Sequence, residues 1–257
     1  MKQIRMLLTL LLIMGGGCSG QYQLTEANKL LRDFPAKIQG AKKIDKYETP
    51  NASHCLVHLR NVHNDFRKKI EEIKPSERKE IIAVQKDNYK ILNFLWTKNN
   101  QEPIEVYLEG TFPELEDIRK SLAGLIKLQL EAQKISRERE FYFGAAQMLE
   151  REGKIIIIPA DTMDSITKAT KAAEKNHFCK AVYDDREDLL LEKIAEKSKP
   201  LVLTVYGSCH AWGGKSSFRN YNFKGKFSLK DNIFEWNEKH PDEKFSLIEI
   251  TPKSLSE

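Results

Sequence analysis

Leu201-Val202-Leu203-Thr204-Val205-Tyr206-Gly207-Ser208-Cys209-His210 decides the fold: an apolar run stops at a glycine and hands the chain to a histidine in a loop of small residues. A second stretch, Cys55-Leu56-Val57-His58-Leu59, runs in the same way into Arg60-Asn61-Val62-His63. Short, near-continuous apolar runs mark strands covered on both faces, the pattern of a parallel sheet. Residues 104–108 and 154–158 repeat the pattern, and residues 245–250 form a fifth candidate strand.

Amphipathic helix patterns separate these runs. They cover residues 76–97, 113–133, 137–151, 163–176, 186–197 and 230–239, with Ser76 and Asp185 as candidate amino-terminal caps and Gly153 as a carboxyl-terminal stop. Strands alternating with helices predict an α/β class: a mostly parallel sheet with helical crossovers on both faces. Residues 216–225, with Phe218, Tyr221 and Phe223, read as a loop or hairpin.

Upstream of the first strand the chain divides further. Lys2 and Arg5, an apolar stretch from Met6 to Met14, and Gly15-Gly16-Gly17-Cys18 have the charge, length and small-residue ending of a secretory signal. The cysteine after small residues resembles the lipobox of bacterial lipoproteins, which implies lipidation of Cys18, a membrane anchor, and a location outside the inner membrane. Ordinary cleavage and secretion is the alternative, because Gly15 stands where such a motif usually has Leu. The expected organisation is a signal peptide at 1–17, a tether with a packing helix at 18–53, where residues 25–34 carry the helix pattern, and a single α/β domain at 54–257.

Removing 1–17 takes away Lys2 and Arg5 and lowers the formal charge from +5 to +3. The remaining positive charge is interleaved with acids, as in Glu77-Arg78-Lys79-Glu80, so these are solvated helix faces and no nucleic-acid partner is expected. With Cys18 lipidated, Cys55, Cys179 and Cys209 remain, an odd number that permits one disulfide at most and so is no disulfide scaffold, and their lack of CxxC spacing argues against a cysteine-built zinc site.

In an open parallel sheet, ligands bind outside the carboxyl ends of the strands. The first strand delivers His63 with Asn64 and Asp65 there, the second Glu109, the third Asp161 with Thr162, and the fourth Ser208, Cys209 and His210. Two imidazoles and one or two carboxylates on one rim match the donor set of a divalent metal ion, which polarises a carbonyl and brings the pKa of bound water to about 7. His63 and His210 are the candidate ligands, with Glu109 as ligand or general base and Asp161 in reserve. Glu109 otherwise forms a salt bridge with Arg186 or Lys154, and Asp161 otherwise caps the helix near Met163. His58 reads as a core residue or a neighbour supporting the site. Cys209 lacks a separate base and orienting residue for nucleophilic catalysis.

At these residues the chain resembles the superfamily that joins the TraB/PrgY, Tiki, ChaN and erythromycin-esterase-like proteins. Its marks are a GxxH after the first strand, a Glu after the second, an Arg on a late helix, and a second GxxH. Gly207-Ser208-Cys209-His210 matches the second GxxH, Glu109 the Glu, and Arg186 in Asp184-Asp185-Arg186-Glu187-Asp188 the Arg. The first GxxH is degenerate, with Arg60 in place of Gly. The resemblance runs from about His54 to Gly214 and implies an EreA/ChaN-like fold. It also implies a metal-dependent hydrolase acting on a peptide or small molecule, with Arg186 orienting Glu109 or holding a substrate carboxylate. The other activity it implies is a non-catalytic lipoprotein that binds iron or haem through His63 or His210 with a tyrosine such as Tyr206.

Overall fold

A computed structural model describes residues 24–62, 73–132, 136–174, 180–197, 199–207 and 229–255. In chain order they form α1 (Glu26–Asp33), β1 (Ala41–Tyr47), β2 (His54–Asn61), α2 (Pro75–Lys98), β3 (Ile104–Leu108), α3 (Glu116–Glu131), α4 (Arg137–Glu140), α5 (Ala145–Arg151), β4 (Ile155–Pro159), α6 (Met163–Glu174), α7 (Lys180–Ala195), β5 (Leu201–Gly207), α8 (Leu229–Lys239) and β6 (Phe245–Pro252). The strands make one six-stranded sheet in the order β1-β6-β2-β5-β3-β4. Strands β6, β2, β5, β3 and β4 are mutually parallel, and β1 joins β6 antiparallel at the edge.

Alternation within β2 explains why its residues from His54 to Arg60 are all buried. Cys55, Val57 and Leu59 enter one core with Leu31 of α1, Ile91 and Leu92 of α2, and Leu149 of α5. Leu56 enters the other, with Leu190, Leu191 and Ile194 of α7 and Leu229, Ile233 and Trp236 of α8. The path from β2 to β3 and on to β4 moves one way across the sheet with α2 and α5 on the first face. The path from β4 to β5 and on to β6 returns with α7 and α8 on the second. Reversing direction and face together keeps one crossover hand, as right-handed βαβ connections require. Neighbouring strands β2 and β5, and likewise β3 and β4, therefore send their connections over opposite faces, and the carboxyl edge opens between them.

Several local expectations are revised. Residues 41–47 belong to the sheet as its edge strand, so the segment at 18–53 adds more than a tether and a packing helix. Gly40 precedes that strand with φ +97°, and a Cβ there would lie 2.7 Å from the Asp87 carbonyl oxygen, so only glycine permits the approach. The helix expected at 137–151 is broken: α4 passes through a 3₁₀ turn at Phe141–Phe143, and α5 starts after Gly144, whose φ of +112° lies outside helical space. Lys74, followed by Pro75, occupies the cap position expected for Ser76. Asp185 lies inside α7, which starts at Lys180, so Asp185 is no cap either.

Candidate functional site

Glu109 directly follows β3 and extends its ladder, its backbone N–H donating to the Val205 carbonyl at 3.1 Å. This register fixes the carboxylate between β3 and β5. One oxygen accepts from the Arg186 guanidinium at 3.1 Å, and the other accepts from the Gly207 backbone N–H. Gly110 then turns the chain with φ +75° and aims its own N–H at Asp161 Oδ2, 2.7 Å away. A side chain of L configuration is strained at that φ, which is why glycine follows the acid.

Asp161 follows β4 and receives the other half of the arginine. Nε of Arg186 donates to Oδ1 at 2.8 Å and Nη2 to Oδ2 at 3.0 Å, a bidentate fork. The Asp161 side chain is fully enclosed, whereas those of Glu109 and Arg186 keep 9% exposure each. Burial alone disfavours the guanidinium charge, but the adjoining Glu109 and Asp161 carboxylates outweigh it and raise the Arg186 pKa above its ordinary value. Asp161 does not cap α6. Thr162 and Ser165 do so reciprocally, each backbone N–H donating to the other's hydroxyl.

Lys193 of α7 is part of the same construction, although its sequence context reads as an ordinary helix face. Its ammonium donates to the carbonyls of Pro159, Ala160 and Asp161 at 3.4, 3.2 and 3.2 Å, pinning the turn that presents Asp161. Burial lowers its pKa, with Asp161 opposing the shift.

Tyr206 of β5 has no exposed surface and lies in the field of this cluster. Burial pushes its hydroxyl well above the ordinary range, and Asp161 adds to the shift while Arg186 opposes it. Its register partner in β2 is Arg60, whose Nη1 donates to Thr251 Oγ1 at 3.0 Å. Two residues earlier in β2, His58 faces Glu249 of β6 across 3.7 Å, with His58 fully buried. Sequence reading passed over Glu249, yet its signal is that of Glu109: a carboxylate in an apolar strand, here Leu247-Ile248-Glu249-Ile250.

The structure thus brings together Glu109, Asp161 and Arg186 from three separate segments. The Glu109–Arg186 ion pair is one of the two partnerships expected for Glu109, while Lys154 pairs with Glu152 instead. Cys18, His63 and His210 lie outside the described residues. Strands β2 and β5 nevertheless run side by side to the register pair Asn61↔Gly207. His63 follows Asn61 by two positions and His210 follows Gly207 by three.

As metal donors the described acids differ. Glu109 is held by Arg186 and Gly207 and keeps 9% exposure at the carboxyl end of β3, so this carboxylate is placed to meet a cation at the rim. Asp161 is enclosed and spends both oxygens on Arg186 and Gly110, so it fits the task of fixing the arginine. Among the described residues no group of three or more His, Cys, Asp or Glu is arranged to hold a metal ion. Tyr206, the tyrosine named with the histidines for haem, is fully buried. Comparison of the chain with family models, with curated proteins and with solved structures returned no match.

Proposed function

We propose that this chain is a metal-dependent hydrolase of the TraB/Tiki/ChaN-like superfamily, with the EreA/ChaN-like form of the α/β sheet, lipid-anchored through Cys18 outside the inner membrane. His63 and His210 are the metal ligands. Glu109 is the third ligand or the general base, and Arg186 orients it.

The observation that carries this reading is the shared Arg186, forked onto Asp161 and bonded to Glu109 while Gly207 holds the other Glu109 oxygen. A carboxylate in a low-dielectric rim protonates or finds a partner, and this one has a cation and an amide N–H that keep it anionic and fixed. Gly207 begins the Gly207-Ser208-Cys209-His210 motif, so the amide that orients Glu109 belongs to the segment that carries an expected ligand. A divalent cation there would supply carbonyl polarisation and an acidified water. Glu109 would accept the proton, and Arg186 would hold its carboxylate in place while the charge changes.

Metal content per chain, measured by elemental analysis, tests the reading. Wild type should carry a stoichiometric divalent metal that both His63→Ala and His210→Ala lose. Unchanged content in the two variants would overturn it.

A further inference from the structure

The end of the sheet opposite the candidate site is built differently. Strand β4 pairs with β3 from Ile104 onward, and β2 pairs with β5 from Leu201 onward. Between β3 and β5, however, pairing starts only at Val106↔Leu203. The two central strands therefore part at their amino ends, and Ile104, Glu105, Leu201 and Val202 face a wedge instead of each other. A cavity of about 630 Å³ occupies that wedge, within the size range of small-molecule sites.

Its walls are apolar. Phe34, just past α1, closes one side, and Phe94 and Leu95 from the last turns of α2 close another. Leu201 lies at the opening, 39% exposed although it is a strand residue. The mouth carries charge of one predominant sign: Lys98, Lys197 and Lys199, against Asp33 and Glu105. Lys199 and Glu105 neutralise each other at 2.7 Å. Lys98 and Lys197 are exposed and have no carboxylate partner among the described residues.

An apolar interior with unpaired ammonium groups at its opening is complementary to a ligand with a hydrocarbon tail and an anionic head. Such a chain fills a gap between strands with methylenes and leaves its carboxylate at the lysines. We propose that the wedge between β3 and β5 binds a free long-chain carboxylate, with the tail along Leu201, Val202, Ile104 and Phe34 and the head at Lys98 and Lys197. This site is separate from the Glu109–Arg186–Asp161 cluster, which lies at the carboxyl ends of the same strands, and does not depend on the hydrolase reading.

The test is calorimetric titration of the full chain with decanoate, dodecanoate and dodecanol. Dodecanoate should bind saturably at one site per chain, with affinity rising about three- to fourfold per added methylene. Dodecanol, which lacks the charge, should bind at least several-fold more weakly. Leu201→Trp, which fills the opening, should weaken dodecanoate binding at least tenfold. The exposed-residue variant Lys98→Glu with Lys197→Glu should weaken it severalfold while leaving dodecanol unaffected, and this comparison stands even if Leu201→Trp fails to fold. Glu109→Gln should bind dodecanoate as wild type does. The proposal is overturned by absence of saturable binding, by equal affinity for acid and alcohol, or by loss of binding in Glu109→Gln. Binding confined to a Cys18→Ser chain would also overturn it, since the cavity would then hold the protein's own amino-terminal lipid.

Discussion

Two halves of one sheet face handle buried acids in opposite ways. On the β5-β3-β4 side, Glu109 and Asp161 share Arg186 and accept two backbone N–H groups, so every carboxylate oxygen has a donor. On the β1-β6-β2 side, Glu249 stands 3.7 Å from His58, and neither ring nitrogen of His58 has a hydrogen-bond partner among the described residues. Tyr47 faces the same carboxylate, its hydroxyl raised by burial and then by Glu249. The first half resembles a completed ionic network, in which removal of any member leaves a charge stranded. The second leaves polar atoms partly used in the core, where each unsatisfied group costs free energy.

Arg186→Met breaks the contrast most severely. It strands two carboxylates in a site with almost no solvent and should cost about 3–5 kcal/mol of unfolding free energy. Urea denaturation of the variant measures it, and a loss under about 1 kcal/mol would show that the network is not what holds these strands together. Asp161→Asn is milder. The amide can still accept from Arg186 Nε, but its NH₂ would confront donors where Oδ2 now accepts from Gly110 and Nη2. The expected loss in the same experiment is about 2 kcal/mol.

The five parallel strands were legible because each is apolar for most of its length, as burial on both faces requires of the inner strands; β4, at the edge, keeps the pattern although its Ile156 is 48% exposed. Strand β1 was not, because Ala41-Lys42-Lys43-Ile44-Asp45-Lys46-Tyr47 carries the charges that protect a sheet edge, and those charges erase the alternation that marks a strand. Glu109 could be picked out because a carboxylate ending a buried strand is costly without a role. Asp161 kept two readings, since an acid before a helix resembles a cap whether or not it serves as one. Its partner decides the matter, and Arg186 lies 25 residues away. Lys193 gave no signal, because a lysine that clamps three carbonyls differs from a solvated one only through the turn it meets in space.

Tyr206 sits where the two halves meet and sharpens the comparison through pH. Its pKa is raised in the folded state by burial first and by Asp161 next. Between an ordinary value of about 10 and the higher folded value, the unfolded chain ionises while the folded one does not. The stability this contributes is therefore complete below about pH 10 and declines above it by roughly 1.4 kcal/mol per pH unit. Tyr206→Phe should remove that component. The unfolding free energy should fall between pH 8 and pH 11 by about 1.4 kcal/mol more for wild type than for the variant. Equal falls would show that Tyr206 ionises as freely in the folded protein as in the unfolded chain. Arg186 does not confound the comparison, because its raised pKa places its own loss above the ordinary arginine range.

The smallest effect is expected where a structure-blind reading would look for a large one, at the fully buried histidine. His58 has two ring nitrogens without hydrogen-bond partners among the described residues and a carboxylate beyond hydrogen-bond distance, so replacing it by Phe removes desolvated polar atoms and keeps an aromatic ring in the core. The added volume and the loss of the weak attraction to Glu249 act against that gain. The balance should leave His58→Phe within about 1 kcal/mol of wild type in the experiment that shows several kcal/mol for Arg186→Met. A loss above about 3 kcal/mol would mean that His58 and Glu249 hold the β2-β6 half as firmly as the arginine holds the other. The contrast between a completed and a partial network would then fail, because fixing a buried acid would no longer depend on how many donors reach it.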